Sequence, residues 1–85
     1  MKTKLSEIYA AADLASAASD AASSNFVGRQ ISSDDWINIW NIEIEAQEAN
    51  ALAAKVGVDW MRKHHAGMSA MHGAFAESAL LQVVA

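Results

Sequence analysis

Apolar residues recur at steps of three and four along three stretches of the chain, and this spacing predicts three amphipathic α-helices. Thr3 and Asp59 are the predicted N-caps of the first and third helices. The predicted core stripes are Leu5, Ile8, Ala12, Ala15, Ala18 and Ala22; then Ile39, Ile42, Ala46, Ala49, Ala53 and Val56; and finally Met61, His65, Met68, His72, Phe75 and Ala79. On the first helix, Asp13, Ser16 and Asp20 lie opposite the stripe and are expected to face water.

The second helix has the clearest predicted ends. Ser32 or Ser33 is suited to its N-cap, and Asp34 and Asp35 suit the positive end of the helix dipole. Gly57 stands where a left-handed C-terminal cap is expected.

Residues 36–45 also support a second interpretation, because they alternate partly at period two and are rich in strand formers. Residues 26–31 would then supply the partner strand, giving an α+β fold with a β-hairpin at about 26–45. The helical stripe continues without a break into residues 46–56, which favours a helix. The predicted fold class is therefore all-α, a small three-helix bundle formed by one helical domain, residues 1–85.

The composition agrees with helices and excludes several kinds of site. The 85 residues include no proline and no cysteine, and 53% are hydrophobic. Without cysteine the chain has no disulfide and no thiolate metal site. The formal net charge is −4, and the acidic excess lies within residues 1–57, which disfavours direct binding of nucleic acid or an anionic membrane. No apolar run reaches the ~20 residues of a membrane span, so a cytoplasmic location is expected.

Histidine is the only residue type that suggests a metal site. His65 and His72 are seven residues apart, about 10 Å along a helix, which is farther than two ligands of one metal usually lie. For His64, His65 and His72 we expect partly exposed side chains, with one against the core. Glu45 and Glu48 are expected on a solvated acidic face. No nucleophile motif or phosphate loop occurs, so the chain is predicted not to be an enzyme and to carry no metal or other cofactor.

The start of the second helix is apolar on more than one side. Trp36, Ile37, Trp40 and Ile44 recur on a face nearly opposite the core stripe, whereas an amphipathic helix needs only one apolar face. Together they form a patch of roughly 400–500 Å², near the upper limit for a surface left exposed. Either the third helix and the C-terminal residues cover this segment, or a partner does.

We interpret these four residues as the apolar anchors of a protein-binding site. Acidic residues on the same stretch are expected to steer a basic partner towards it. They are Asp34, Asp35, Glu43, Glu45 and Glu48.

The sequence thus favours a small acidic protein-binding module. In size and charge it is similar to phage-encoded inhibitors, including anti-CRISPR proteins. This resemblance implies that the partner is a basic nucleic-acid-handling protein and that binding weakens with salt. The alternative is a structural homo-oligomer or assembly subunit, a homodimer in its simplest form, in which the small residues Ala66, Ala70 and Gly73 let helices approach. A histidine-based metal protein is the third interpretation.

Overall fold

The computed structural model describes residues 4–26, 28 and 30–84, and it contains three helices. These are α1, Leu5–Asn25; α2, Ser33–Val56; and α3, Asp59–Val84. The described residues include no strand, so the predicted all-α fold is confirmed. The alternative hairpin at about 26–45 is wrong, because residues 33–45 belong to a helix that continues to Val56.

The helix starts follow the local sequence. The Oγ of Ser32 accepts a hydrogen bond from the backbone N–H of Asp35 at 3.1 Å, which confirms Ser32 as the N-cap of α2. At the start of α1, the backbone N–H of Lys4 donates to the carboxylate of Glu7 at 3.4 Å. The predicted cap Thr3 lies outside the described residues.

The junction between α2 and α3 differs from the prediction. Gly57 is extended, with φ −78° and ψ 164°, so the expected left-handed cap is wrong. Glycine is required there for space, since a Cβ would lie 2.8 Å from the carbonyl oxygen of Ala53 and 3.1 Å from the hydroxyl of Tyr9. The left-handed residue is instead Asp59, with φ 52°. Asp59 is therefore the first residue of α3 rather than its N-cap, and the carbonyl of Val58 accepts the first hydrogen bonds of the helix.

α2 lies between the other two helices and packs against both, more extensively against α3. The Oγ of Ser69 on α3 donates to the carbonyl of Gln47 on α2 at 3.0 Å. Gly73 faces the side chain of the same residue, where a Cβ would come within 2.8 Å of the amide nitrogen of Gln47. The resulting bundle is elongated and measures 40 × 23 × 18 Å.

The interior of the bundle is filled by small and polar side chains. Among the described residues, every buried apolar side chain is an alanine: Ala12, Ala22, Ala46, Ala53, Ala76 and Ala79. The large apolar side chains that remain exposed are Leu5, Leu14, Ile37, Leu52, Val56, Val58, Trp60, Met71, Phe75, Leu80, Leu81 and Val84. The predicted stripes therefore supply both buried histidines and five of these six alanines, all but Ala76. Leu5, Ala18, Val56 and Phe75 belong to the predicted stripes but lie at the surface. No described helix is long and apolar enough to cross a membrane.

Candidate functional site

A network of hydrogen-bonded polar side chains joins the three helices inside the bundle. The carboxylate of Glu43 accepts a hydrogen bond from the Nδ1 of His72 at 2.8 Å and another from the hydroxyl of Ser19. The Nε2 of His72 lies 3.0 Å from the Oγ of Ser16. Glu43 is 2% exposed and His72 is fully enclosed. One residue pair from α2 and α3 is thus fixed to two serines of α1.

A second polar layer lies two helical turns away and is connected to the first. Asn50 donates to the Oγ of Ser16 at 3.1 Å and to the carbonyl of Ala46 at 2.8 Å. The Oδ1 of Asn50 lies 2.8 Å from the Nδ1 of His65. The ring of His65 stacks on Tyr9, with centroids 5.4 Å apart and planes 6° from parallel.

The two layers repeat at a spacing of seven residues on each helix. Tyr9 and Ser16 belong to α1, Glu43 and Asn50 to α2, and His65 and His72 to α3. Among the described residues, no buried side-chain nitrogen or oxygen lacks a hydrogen-bond partner. A fully satisfied network of this kind fixes the relative positions of the helices, because any slip would leave buried polar groups unpaired.

Burial lowers the pKa of His65 below its ordinary value of 6.5. The neighbouring His64 lowers this pKa further, and the carboxylate of Asp13 raises it. The neutral imidazole is therefore the form that the folded chain favours.

Ser16, His72 and Glu43 are connected in the order of a nucleophile, a base and an orienting carboxylate. Acyl transfer also needs an accessible base and backbone N–H groups that stabilise an oxyanion. His72 is enclosed, and Ser16 lies within α1, where the backbone N–H groups bond to the preceding turn. We therefore interpret the three side chains as a structural group that joins the helices.

The histidines differ from the prediction in their burial. Two of them, His65 and His72, are enclosed, whereas His64 is exposed and its ring lies 6.1 Å from that of Trp60. The described residues include no group of three or more histidine, aspartate or glutamate side chains placed to hold a metal ion.

The residues predicted to bind a partner occupy three kinds of position. Asp34, Ile37, Glu45 and Glu48 are exposed on the outward side of α2. The side chains that are half-buried are Asp35, Trp36, Trp40 and Ile44. The predicted apolar patch is thus partly covered by the chain itself.

Glu43 is the residue whose predicted role the structure contradicts. A steering charge must face solvent, but the Glu43 carboxylate lies in the core and is held by Ser19 and His72. The predicted position of Ser16 in water is also wrong, because its hydroxyl belongs to the same network.

An open groove runs between α1 and α2. Its volume is about 600 Å³, and it is lined by Ala11, Leu14, Ala15, Ala18, Glu45, Glu48, Ala49 and Leu52. Leu14 is 74% exposed and Leu52 is 49% exposed. The described lining therefore combines an apolar floor with two carboxylates and no positive charge.

A smaller cavity of about 310 Å³ opens at the end of the bundle beside the α1–α2 connection. Its lining is mostly apolar: Ser23, Phe26, Ile31, Trp36, Ile39, Glu43, Phe75, Ser78 and Ala79. Glu43 supplies the one charge in the described lining, and its carboxylate is already engaged by the network. The described lining of the cavity therefore offers no unengaged charge with which to select a charged partner, whereas the groove offers two carboxylates.

Sequence reasoning missed both the polar network and the groove. A signal for the network was present, since polar residues seven apart interrupt apolar stretches on all three helices. The groove depends on which faces of α1 and α2 pack together. The spacing of residues within one helix does not determine how two helices pack.

Comparisons with known proteins do not assign the chain to any class. No family model, no curated protein and no solved structure matches it.

Proposed function

We propose that this chain is a protein-binding module whose α1–α2 groove receives a basic amphipathic helix of another protein. The observation that carries the proposal is the groove itself, in which two exposed leucines and several alanines lie beside two exposed carboxylates of α2, Glu45 and Glu48. Helices that dock in apolar grooves do so through side chains spaced three and four residues apart.

The apolar part of the groove would supply affinity. Leu14 on α1 and Leu52 on α2 project from the two helices, and alanines between them keep the floor shallow. Covering the remaining surface of the two leucines would contribute about 1–2 kcal/mol each. An incoming helix that carries two or three large apolar side chains would gain a similar amount from its own burial.

The charged part of the groove would orient the partner helix and raise the rate of association. Glu45 and Glu48 lie at the groove, and Asp34 extends the negative charge towards the start of α2. A partner helix with lysine or arginine beside its apolar stripe would be attracted and placed in register. Of the four apolar anchors predicted from the sequence, Ile37 is 42% exposed and is available to a partner. Trp36, Trp40 and Ile44 are half-buried, so a partner could contact only part of each side chain.

An inhibitor is the biological role that fits this surface best. A basic partner helix is common in proteins that handle nucleic acid, because such helices contact phosphates. A small acidic chain that occupies the helix would compete with nucleic acid for it, as phage-encoded inhibitors of the anti-CRISPR type do. The contact would weaken with salt, since part of the attraction is between exposed charges.

The direct test uses two synthetic helical peptides that have the same leucine stripe and carry either lysines or glutamates on the other positions. Calorimetric titration of the full chain is expected to show binding of the lysine peptide at low salt, weaker binding at about 1 M salt, and no binding of the glutamate peptide. Equal binding of the two peptides would contradict the electrostatic part of the proposal.

A matched pair of variants locates the contact. Glu45→Lys combined with Glu48→Lys reverses the charge at the groove and is expected to abolish binding of the lysine peptide. Asp13→Lys combined with Asp20→Lys makes the same charge change at exposed positions of α1 outside the groove, and it should leave most of the binding intact. If both pairs lose binding equally, the groove is not the site.

A further inference from the structure

We propose that two copies of this chain associate through the outward side of α3, in an antiparallel arrangement centred near Ala70. This surface is separate from the α1–α2 groove, so the inference stands or falls independently of the proposed function. It rests on exposed area, on the order of residues along α3, and on the distribution of charge.

The exposed area is larger than a chain of this size ordinarily leaves in water. The surface measures 5829 Å² for a 9.1 kDa chain, whereas a folded monomer of that mass exposes about 4,900 Å². The surplus of about 900 Å² is comparable to the ~800 Å² that each partner buries in a stable interface. The long, thin shape of the bundle therefore leaves enough surface for one further interface.

The outer face of α3 has the spacing of a helix-packing seam. It is formed by Trp60 and Leu81 at its ends, Lys63 and Glu77 inside them, and Gly67, Ala70 and Ala74 at its centre. These positions follow one another in steps of three and four residues, and all seven are exposed. Trp60 is 69% exposed and Leu81 is 59% exposed, although residues of this size usually pack against something.

The order of these residues is symmetric about Ala70. In an antiparallel pair, Trp60 of one copy reaches the level of Leu81 of the other, and Lys63 reaches the level of Glu77. A two-fold interface requires this kind of self-complementarity. A parallel pair would instead place lysine beside lysine and glutamate beside glutamate.

The distribution of charge selects a second copy as the occupant of this face. α3 is neutral, with Asp59 and Glu77 balancing Arg62 and Lys63, whereas residues 1–57 carry the whole net charge of −4. Two copies that met through the acidic surface of α1 and α2 would repel one another. Contact through α3 keeps those surfaces apart and pairs opposite charges at both ends of the interface.

Sedimentation equilibrium of the full chain, from micromolar to millimolar concentration, is expected to show a monomer–dimer equilibrium. Ala70→Glu places two carboxylates at the symmetry axis and should raise the dissociation constant by at least about tenfold. Ala17→Glu adds the same charge at an exposed position of α1 and should leave association unchanged. Circular dichroism of each variant establishes that the helices are intact.

A charge exchange separates this interface from general damage. Lys63→Glu alone and Glu77→Lys alone should each weaken the dimer, and the double variant should restore it. A chain that remains monomeric at every concentration would overturn the proposal. Failure of the double variant to recover association would overturn the antiparallel arrangement.

Because the chain has no cysteine, single cysteine substitutions give a direct geometric test. Ala70→Cys is expected to form an intermolecular disulfide under mild oxidation, because residue 70 meets its own copy within the Cα separation that a disulfide spans. Ala17→Cys should not crosslink at the same rate. Equal rates for the two variants would show random collision and would contradict the proposal.

Discussion

The interior of the bundle is rich in polar and small side chains, whereas the outer face of α3 carries large apolar ones. In most small proteins this distribution is reversed. Between the helices lie Glu43, Asn50, His65 and His72 together with alanines, whereas Trp60, Leu81 and other large apolar side chains lie outside. The interior thus gains its specificity from hydrogen bonds, and much of the hydrophobic surface remains available for association. Helices can therefore pack through small and polar side chains while their largest apolar side chains remain free to contact another molecule.

The largest effect is expected from breaking the interior network. His72→Ala leaves the buried carboxylate of Glu43 without its main partner and should reduce the free energy of unfolding by about 3–5 kcal/mol. For a domain whose total stability is on the order of 5–15 kcal/mol, this is a large fraction. Urea denaturation followed by circular dichroism measures the loss.

A double variant gives the control for that experiment. Glu43→Leu together with His72→Leu removes both members of the pair and fills their volume with apolar side chains, so most of the lost stability should return. If His72→Ala costs less than about 1 kcal/mol, the network does not hold the interior together as described.

The next largest effect is expected from replacing glycine where neighbouring atoms are close, and a glycine with no close neighbours serves as the comparison. Gly57→Ala would bring a Cβ within 2.8 Å of the Ala53 carbonyl oxygen, and it should destabilise the fold by about 1–3 kcal/mol. At Gly67, on the outer face of α3, nothing lies within 4 Å of an added Cβ. Gly67→Ala should therefore stabilise the helix by up to about 1 kcal/mol. Thermal unfolding of both variants at low concentration tests the difference in sign.

The interior should also respond to acid. The pKa of His65 is lowered by burial, so below pH 6.5 the unfolded chain takes up a proton at this residue while the folded chain resists it. The free energy of unfolding should therefore fall as the pH drops from 7 towards 5. His65→Gln should show a shallower dependence over this window, and an unchanged slope would contradict the assignment of this titration to His65.

The smallest change in stability is expected from a substitution on the outer face of α3. Trp60→Ala removes one of the three tryptophan side chains, yet it should change the stability of the monomer by no more than about 0.5 kcal/mol, because the indole is mostly in water. Denaturation at a concentration where the chain is monomeric measures this. A loss comparable to that of His72→Ala would mean that the outer face belongs to the core.

The helices themselves could be predicted from the sequence with good accuracy. The cap at Ser32 and the stripe through Ala46 and Ala53 depend on local geometry and are confirmed. The sequence predicts a surface position for Glu43, because carboxylates are rarely buried alone. Its burial depends on Ser19 and His72, which lie 24 and 29 residues away, and a pattern within one helix does not contain that information.

The candidate site was less predictable for a related reason. Two apolar faces of α2 compete for the same neighbours, and the sequence does not decide which one is covered. The structure half-buries Trp36 and Trp40, and it leaves Trp60, Leu14 and Leu52 more exposed. Small residues on facing helices let the backbones approach closely, and this approach leaves the larger side chains outside.

The most direct test of the central claim follows Trp60 as a reporter of the outer face. Trp36→Phe and Trp40→Phe leave it as the one tryptophan of the chain, and its quenching by acrylamide can be followed as the protein concentration rises. We expect efficient quenching at micromolar concentration and clear protection at millimolar concentration, as a second copy covers the indole. Protection at every concentration, or quenching that never changes, would contradict the account.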